Sequence, residues 1–314
     1  MKISVVIPTY NSEKTIGECL LSFSKQTYPP HEIVVVDGKS TDSTTKIVKS
    51  IKEVKLIINE KSRTPGSSRN RGAETATGEV LFFCDSDCVA DKKVLEYHVK
   101  AYKSRYGVSG VMGSIRNAGP RNAISNFVQK EIMASQWLRS LNPDGTVKYF
   151  HAGIYNFSIY RSEFLKRKFR EEPMVSEDTE LSIRISGKLK ILFEPRAIVF
   201  HHHPTTLQAL FEQRKWYGER FFGLTKYCRR ESFKPDSLSF SALRCMDFPE
   251  DYLYKAVFQD NCLLCKGCRI RKCKIDVQRL PRQGDSDKYL CRVVCLAFAS
   301  GILKQRSGID YPWQ

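Results

Sequence analysis

No stretch of this 314-residue chain holds the roughly 20 consecutive apolar residues that cross a bilayer. The longest candidate, VVCLAFASGIL from Val293 to Leu303, is too short. The first apolar run is not followed by the G-x-G-x-x-G turn of a dinucleotide site, and no G-x-x-x-x-G-K-[ST] loop occurs, so phosphates are not held by a glycine cradle. The opening MKISVVIPTYN has a brief apolar run broken by Pro8 and no small-residue cleavage site, unlike a secretory signal. The expected location is therefore cytoplasmic, and the eleven cysteines are expected as thiols or metal ligands rather than disulfides. Internal repeats and low-complexity tracts are missing too. Acids are scarce: 34 Asp and Glu face 51 Lys and Arg, a formal net charge of +17. That excess favours nucleotide phosphates, anionic lipid headgroups or nucleic acid, without choosing among them.

What is present is a regular alternation. ISVVIP (Ile3 to Pro8) and EIVVVDG (Glu32 to Gly38) read as buried parallel strands, VKLII (Val54 to Ile58) as a third and EVLFFCDSD as a fourth. Between them lie three helical patterns. The first has Ile16, Leu20 and Phe23 on one face and Ser12 as expected cap. STDSTTKIVKSI is expected to be capped by Ser40 or Asp42, and SSRNRGAETATG to end at Gly78. Strand and helix in alternation predict a Rossmann-like, doubly wound α/β sheet, whose ligands bind at the carboxyl ends of the strands. Three of the four strand ends carry candidate chemistry: PTYN, DGKSTD and DSD. A mixed region follows from about residue 108 to 203, then an amphipathic helix from Thr205 with Leu207, Leu210 and Phe211.

Asp85 and Asp87 pose the sharpest question, because paired carboxylates resist desolvation unless something positive sits beside them. On a strand, i and i+2 share a face and open into one crevice. A divalent cation shared with a diphosphate, Mn²⁺ or Mg²⁺ by preference for oxygen ligands, would relieve the repulsion.

In order along the chain, VVIPTYNSEKTI, EIVVVDGKSTDST, SSRNRGAETATGEVLFFCDSD, SEDTEL and PRAIVFHHHP followed by EQRKWYG resemble the inverting family-2 glycosyltransferases of the GT-A fold. The resemblance covers about residues 1–225, implying a glycosyltransferase domain with a nucleotide-sugar half (1–107) and an acceptor half (108–225). It places Pro8, Thr9 and Tyr10 at the nucleotide, Asp37 on the base edge, and Arg69 and Asn70 near the nucleotide or sugar. It makes Asp85 and Asp87 the D-x-D pair, the first toward ribose and sugar and the second toward the metal, and Asp178 the catalytic base with Glu177 beside it. His201, or His203 by strand alternation, matches the family's late histidine near metal and diphosphate, and Trp216 lies in the acceptor region. The stretch EQRKW departs from the Q-x-x-R-W of processive members, with Glu for Gln and Lys for Arg, so processivity is not implied. Implied partners are a nucleotide-sugar donor, with UDP favoured, and a glycan or polyprenyl-linked acceptor.

Residues 226–314 read as a helical, Cys-rich basic appendage. Cys262, Cys265, Cys268 and Cys273 make a candidate structural Zn²⁺ or iron–sulfur site, although the spacing matches neither the bacterial ferredoxin run nor paired zinc knuckles. Basic residues beside the apolar Val293–Leu303 segment suit peripheral contact with the anionic inner face of the cell membrane, and equally packing on the main domain. Two rival functions remain. A sugar nucleotidyltransferase would open with G-x-G-x-R where PTYN stands. An inactive nucleotide-sugar or nucleic-acid binder, a disfavoured partner reading, would not need an intact DSD and SEDTEL.

Overall fold

The computed structural model describes residues 1–61, 64–137, 142, 144–147, 154–170, 177–185 and 188–215. Trp216, the four tail cysteines and the Val293–Leu303 segment lie outside the described residues. Two compact units divide the chain: residues 1–118, 135–173 and 177–202 form the first, and residues 119–134, 174–176 and 203–314 the second.

The first unit carries eight strands: β1 (Ile3–Thr9), β2 (Glu32–Asp37), β3 (Val54–Ile58), β4 (Val80–Phe83), β5 (Cys88–Ala90), β6 (Gly110–Asn117), β7 (Phe157–Tyr160) and β8 (Ile191–His201). They make one sheet in the order β3-β2-β1-β4-β7-β6-β8-β5. β3, β2, β1 and β4 run parallel, as do β6 and β8, while β4–β7, β6–β7 and β5–β8 pair antiparallel. The sheet is thus mixed; β1, β2 and β4 of its parallel half are buried on both faces, as their apolar runs imply, whereas β3 lies half-exposed at the edge.

Alternation along those strands feeds two apolar clusters. Ile3, Val5, Ile7, Val80 and Phe82 pack with Ile16, Leu20 and Phe23 of α1 (Ile16–Ser24), Val48 of α2 (Thr44–Lys49) and Val94, Leu95 and Val99 of α4 (Val94–Ser104). Val6, Leu81 and Phe83 instead pack with Ala73 of α3 (Pro65–Thr75), Phe164 of α6 (Arg161–Leu165) and Leu181 and Ile185 of α7 (Glu177–Ile185). A fifth helix, α5 (Ala123–Trp137), comes between β6 and β7 in the chain.

Three local expectations are corrected. The cap of α1 is Thr15, and Ser12 contributes only its carbonyl, which accepts from the Thr15 and Ile16 amides. α2 is capped at Ser43, while Ser40 turns its hydroxyl to Asp37; Asp42 still supports the helix start by accepting the Thr44 amide. α3 stops at Thr75, and Gly78 lies beyond it because a Cβ there would stand 2.5 Å from Ser4 Oγ, the atom that accepts its own N–H. In the second unit, residues 207–215 are helical, with Leu210 and Phe211 buried and Thr206 Oγ1 accepting the Ala209 amide.

Candidate active site at the carboxyl edge of the sheet

The strand order reverses direction around β1: β2 and β3 lie on one side, β4 on the other. The crevice at such a switch point is where α/β sheets bind ligands. Here it opens early. The β1–β4 ladder ends at Val6–Phe83, whereas β1–β2 continues to Thr9–Asp37. Pro8 helps end it. The carbonyls of Ile3 and Thr9 accept from the β2 side and those of Lys2 and Val6 from the β4 side. By that alternation the missing N–H of Pro8 faces β4, where no pairing is lost.

The wall of the crevice is polar. Asp37, buried at the end of β2, accepts from the Ser40 amide at 2.8 Å and from its hydroxyl. Thr9 is buried alongside, and its Oγ1 finds no hydrogen-bond partner among the described residues. Tyr10 is exposed. β4 ends at Phe83, so Asp85 and Asp87 are not on the strand as expected; they occupy a turn in which the Cys88 amide donates to the Asp85 carbonyl. The turn sends the two carboxylates to different partners.

Asp85 meets Arg69, whose Nη2 donates to Oδ1 at 2.6 Å. The same guanidinium donates through Nη1 to Glu177 Oε1 at 3.0 Å and lies 5.6 Å from the centre of the Phe169 ring. Thr64 caps α3 by accepting the Ser67 amide, with Pro65 in the first turn, which sets Arg69 one turn into the helix. Gly66 admits α7: a Cβ there would lie 2.7 Å from Glu177 Cγ. Asn70, expected near the nucleotide or sugar, is buried, and its side-chain amide donates to the Phe169 carbonyl and accepts from the Phe169 N–H. Asp178 follows Glu177, half-buried in the first turn of α7, where carboxylates complement the helix dipole.

Asp87 meets His201 instead, with Oδ2 3.4 Å from Nε2. His201 ends β8 directly opposite Cys88, and the Tyr155 ring tilts against its imidazole at 5.2 Å. Asp87, Cys88 and His201 each offer a ligand atom within 4.8 Å of the others. Sequence reasoning missed Cys88 in this group; only its adjacency to DSD pointed toward it. Asp85, expected with the metal ligands, faces Arg69. His203 belongs to the second unit, where its Nε2 lies 3.3 Å from Gln129 Oε1.

The electrostatics follow from crowding. Burial works against the Arg69 charge, but Asp85 and Glu177 outweigh it and hold the guanidinium cationic. Burial and then the Asp178 charge push the Glu177 carboxyl up to about 7, with Arg69 opposing. Burial raises Asp85, against Arg69, with the Asp87 charge adding to the rise. Burial also disfavours the charged forms of Asp87 and His201, yet their mutual contact wins, lowering the first and raising the second. Four carboxylates thus face two cationic groups, and the excess negative charge suits a bound cation.

A sequence profile described as Glycosyl transferase family 2 matches residues 4–165, just over half of the chain. The probable glycosyltransferase YdaM of Bacillus subtilis is 29% identical over 231 residues, covering 68% of this chain and 54% of YdaM. A dolichyl N-acetyl-alpha-D-glucosaminyl phosphate 3-beta-D-2,3-diacetamido-2,3-dideoxy-beta-D-glucuronosyltransferase of Methanococcus voltae is 25% identical over 236 residues, covering 69% of this chain and 71% of that protein. The chain thus spans about half the length of the first of these relatives. Among solved structures, mannosyltransferase PcManGT of Pyrobaculum calidifontis with GDP-Man and Mn²⁺ aligns over 98% of this chain and 88% of its own, with TM-score 0.64 and 18% identity. S. aureus TarS 1-349 with UDP aligns over 99% and 93%, with TM-score 0.53 and 20% identity. Identities this low speak for the fold alone, but the profile match over strands, D-x-D turn and β7 together makes the chain a member of glycosyl transferase family 2.

Proposed function

We propose that the chain transfers a glycosyl group from a nucleoside diphosphate sugar, with UDP favoured, to a hydroxyl or lipid-linked acceptor, inverting the anomeric centre, as a step in cell-surface glycan or glycolipid assembly. The observation that carries this reading is the Arg69 bridge. One buried guanidinium ties Asp85, beside the crevice, to Glu177, the neighbour of Asp178. Donor-side and acceptor-side carboxylates then belong to one charge cluster. The printed names of the relatives, and the UDP and GDP-Man in the solved structures, agree with such donors.

The nucleoside would enter at the carboxyl ends of β2, β1 and β4, where Thr9 Oγ1 lacks a partner among the described residues and Asp37 presents a carboxylate already oriented by Ser40. Arg69 keeps Asp85 ionised and fixed as the donor's ribose or sugar approaches. Asp178 takes the proton of the attacking hydroxyl onto its carboxylate. The oxygen bonds the anomeric carbon from the face opposite the diphosphate, which leaves with the electrons of the broken bond. Carboxylate oxygens suit Mn²⁺ or Mg²⁺, which Asp87, with His201 beside it and Asp85 adjacent, would hold together with the donor's phosphates. When bound, the cation supplies charge stabilisation for the leaving diphosphate.

The test is product analysis with a panel of nucleotide sugars. Transfer releases free nucleoside diphosphate, whereas nucleotidyl transfer consumes or forms a nucleoside triphosphate. Asp178→Asn is expected to cut turnover about a hundredfold or more while donor binding persists. Near-normal transfer to a hydroxyl acceptor by that variant removes Asp178 from the role. Peripheral attachment to an anionic membrane rests on the +17 charge and the basic, apolar tail sequence. Sedimentation with anionic vesicles at low salt, lost at high salt, is the expected outcome; no sedimentation with them ends the membrane reading.

A further inference from the structure

The thiol of Cys88 has no part in the transfer described above, yet it points into the same group of side chains. β5 and β8 run antiparallel with Cys88 opposite His201, so both side chains leave one face of the sheet. Asp87 precedes β5 in the turn and folds back between them. Its Oδ2 lies 3.4 Å from His201 Nε2 and its Oδ1 3.6 Å from Cys88 Sγ. Donor atoms around tetrahedral zinc stand roughly 3.3–3.6 Å apart, given bonds of about 2.0–2.3 Å. The two Asp87 spacings, one from each carboxylate oxygen, match these values, and one ligand atom from each of the three residues lies within 4.8 Å of the others, so closure on a metal needs only a small inward shift. The tilted Tyr155 ring limits rotation of the imidazole. The Asp87 side chain is 48% exposed, which leaves a route in from solvent and a fourth position for water.

The third ligand changes which metal fits. Mn²⁺ and Mg²⁺ seek oxygen and come with phosphate, whereas sulfur with imidazole favours Zn²⁺. Resting on the assignment of Asp87 and His201 to the cation, we propose that Asp87, Cys88 and His201 form a nitrogen–oxygen–sulfur site that takes Zn²⁺ without nucleotide and competes there with the Mn²⁺ or Mg²⁺ that accompanies the donor. Binding forms a Zn–S bond and releases the thiol proton to solvent; no electron is transferred. Cys19 serves as the internal control, because its thiol donates to the Asp85 carbonyl, whereas the Cys84 thiol lies against that of Cys88.

The experiment is titration of the full, chelator-treated chain with Co²⁺, reading the near-ultraviolet thiolate-to-cobalt charge-transfer band, with Zn²⁺ affinity measured by competition. Any band contributed by the cysteines at 262–273 is common to all variants, so the difference from wild type isolates Cys88. Cys88→Ser and His201→Gln are each expected to lose part of the band and to weaken Zn²⁺ binding at least about tenfold. Cys19→Ser is expected to keep the band. His201→Gln leaves the buried sulfur in place, so its result stands even if Cys88→Ser fails to fold. A band of wild-type size in either variant overturns the proposal. Mn²⁺ binding with UDP, followed by electron paramagnetic resonance of the wild type, separates the two claims. If Mn²⁺ and UDP bind together but the band does not depend on Cys88, only the zinc site falls. If Mn²⁺ and UDP do not bind together, the assignment of Asp87 and His201 to the donor's cation falls, and the competition proposed here falls with it.

Discussion

Arg69 holds two carboxylates with one guanidinium, and this sharing sets the behaviour of single residues at the site. Without the buried cation, Asp85 and Glu177 lose the group that offsets their burial, so Arg69→Ala is expected to cost about 3–5 kcal/mol in urea unfolding and to abolish transfer. Glu177 behaves differently. Its carboxyl is pushed up to about 7 in the fold, against an ordinary value near 4.3. Between these values the folded chain keeps a proton that the unfolded chain has released, so stability falls as pH rises through that window. Glu177→Gln still offers Arg69 an acceptor oxygen but cannot ionise. At pH 8 it is expected to exceed the wild type in stability by at most about 3 kcal/mol, with little difference at pH 4. Equal pH slopes for both proteins would show that Glu177 is not held protonated. None of this was readable from SSRNRG and SEDTEL alone. Each motif announces a charged residue, but the bridge depends on Gly66 letting α7 approach α3, a contact between segments more than a hundred residues apart.

At the scale of elements, β8 shows why some of the fold was legible and some was not. The segment AIVF reads as a buried strand, and it forms the second half of β8, which begins earlier, at Ile191. Its register is not readable, because the pairing with β6 jumps from Gly113–Glu194 to Ser114–Ile198 at Pro195, a residue that cannot sustain a ladder. The bulge turns the Ala197 carbonyl inward, and Asn156 Nδ2 donates to it and to the Ser114 carbonyl. With both amide hydrogens so used, Asn156 Oδ1 accepts from His98 Nε2, and His98 Nδ1 lies 2.7 Å from Ser158 Oγ. Burial lowers the pKa of this imidazole to about 4 and so holds it neutral. An unfolded histidine takes its proton near pH 6.5, so stability is lost as pH falls from there through about 4, by at most about 3 kcal/mol. His98→Leu is expected to flatten that slope in thermal unfolding at pH 4 to 7; an unchanged slope would assign acid lability elsewhere. Gly113→Ala tests the same node from outside. Its Cβ would collide with the Asn156 amide and the Ala197 carbonyl oxygen, and the displacement is expected to cost about 1–3 kcal/mol.

At the scale of the molecule, two charge distributions act against each other. The chain as a whole carries +17, while the crevice gathers four carboxylates around Arg69 and His201. The first attracts a nucleoside diphosphate from a distance; the second repels its phosphates on arrival unless a cation comes too. The sequence foretold the net charge and the D-x-D pair. It misplaced the pair onto a strand, because the i, i+2 argument presumed that β4 ran past Phe83, and only the turn explains why Asp85 and Asp87 take separate partners. The opposition of the two fields makes a definite expectation. UDP with Mn²⁺, supplied at about 100 times its dissociation constant, should stabilise the fold by about 2.7 kcal/mol and raise the melting temperature by roughly 5–10 °C. UDP with a chelator should raise it little, since the phosphates then meet the carboxylates unscreened. Added salt should weaken the long-range attraction, whose range is about 10 Å at 0.1 M, while leaving the cation requirement in force. A melting shift with UDP and chelator as large as that with Mn²⁺ would mean that Asp85 and Asp87 meet no phosphate-borne metal, and that their charge is balanced by Arg69 and His201 alone.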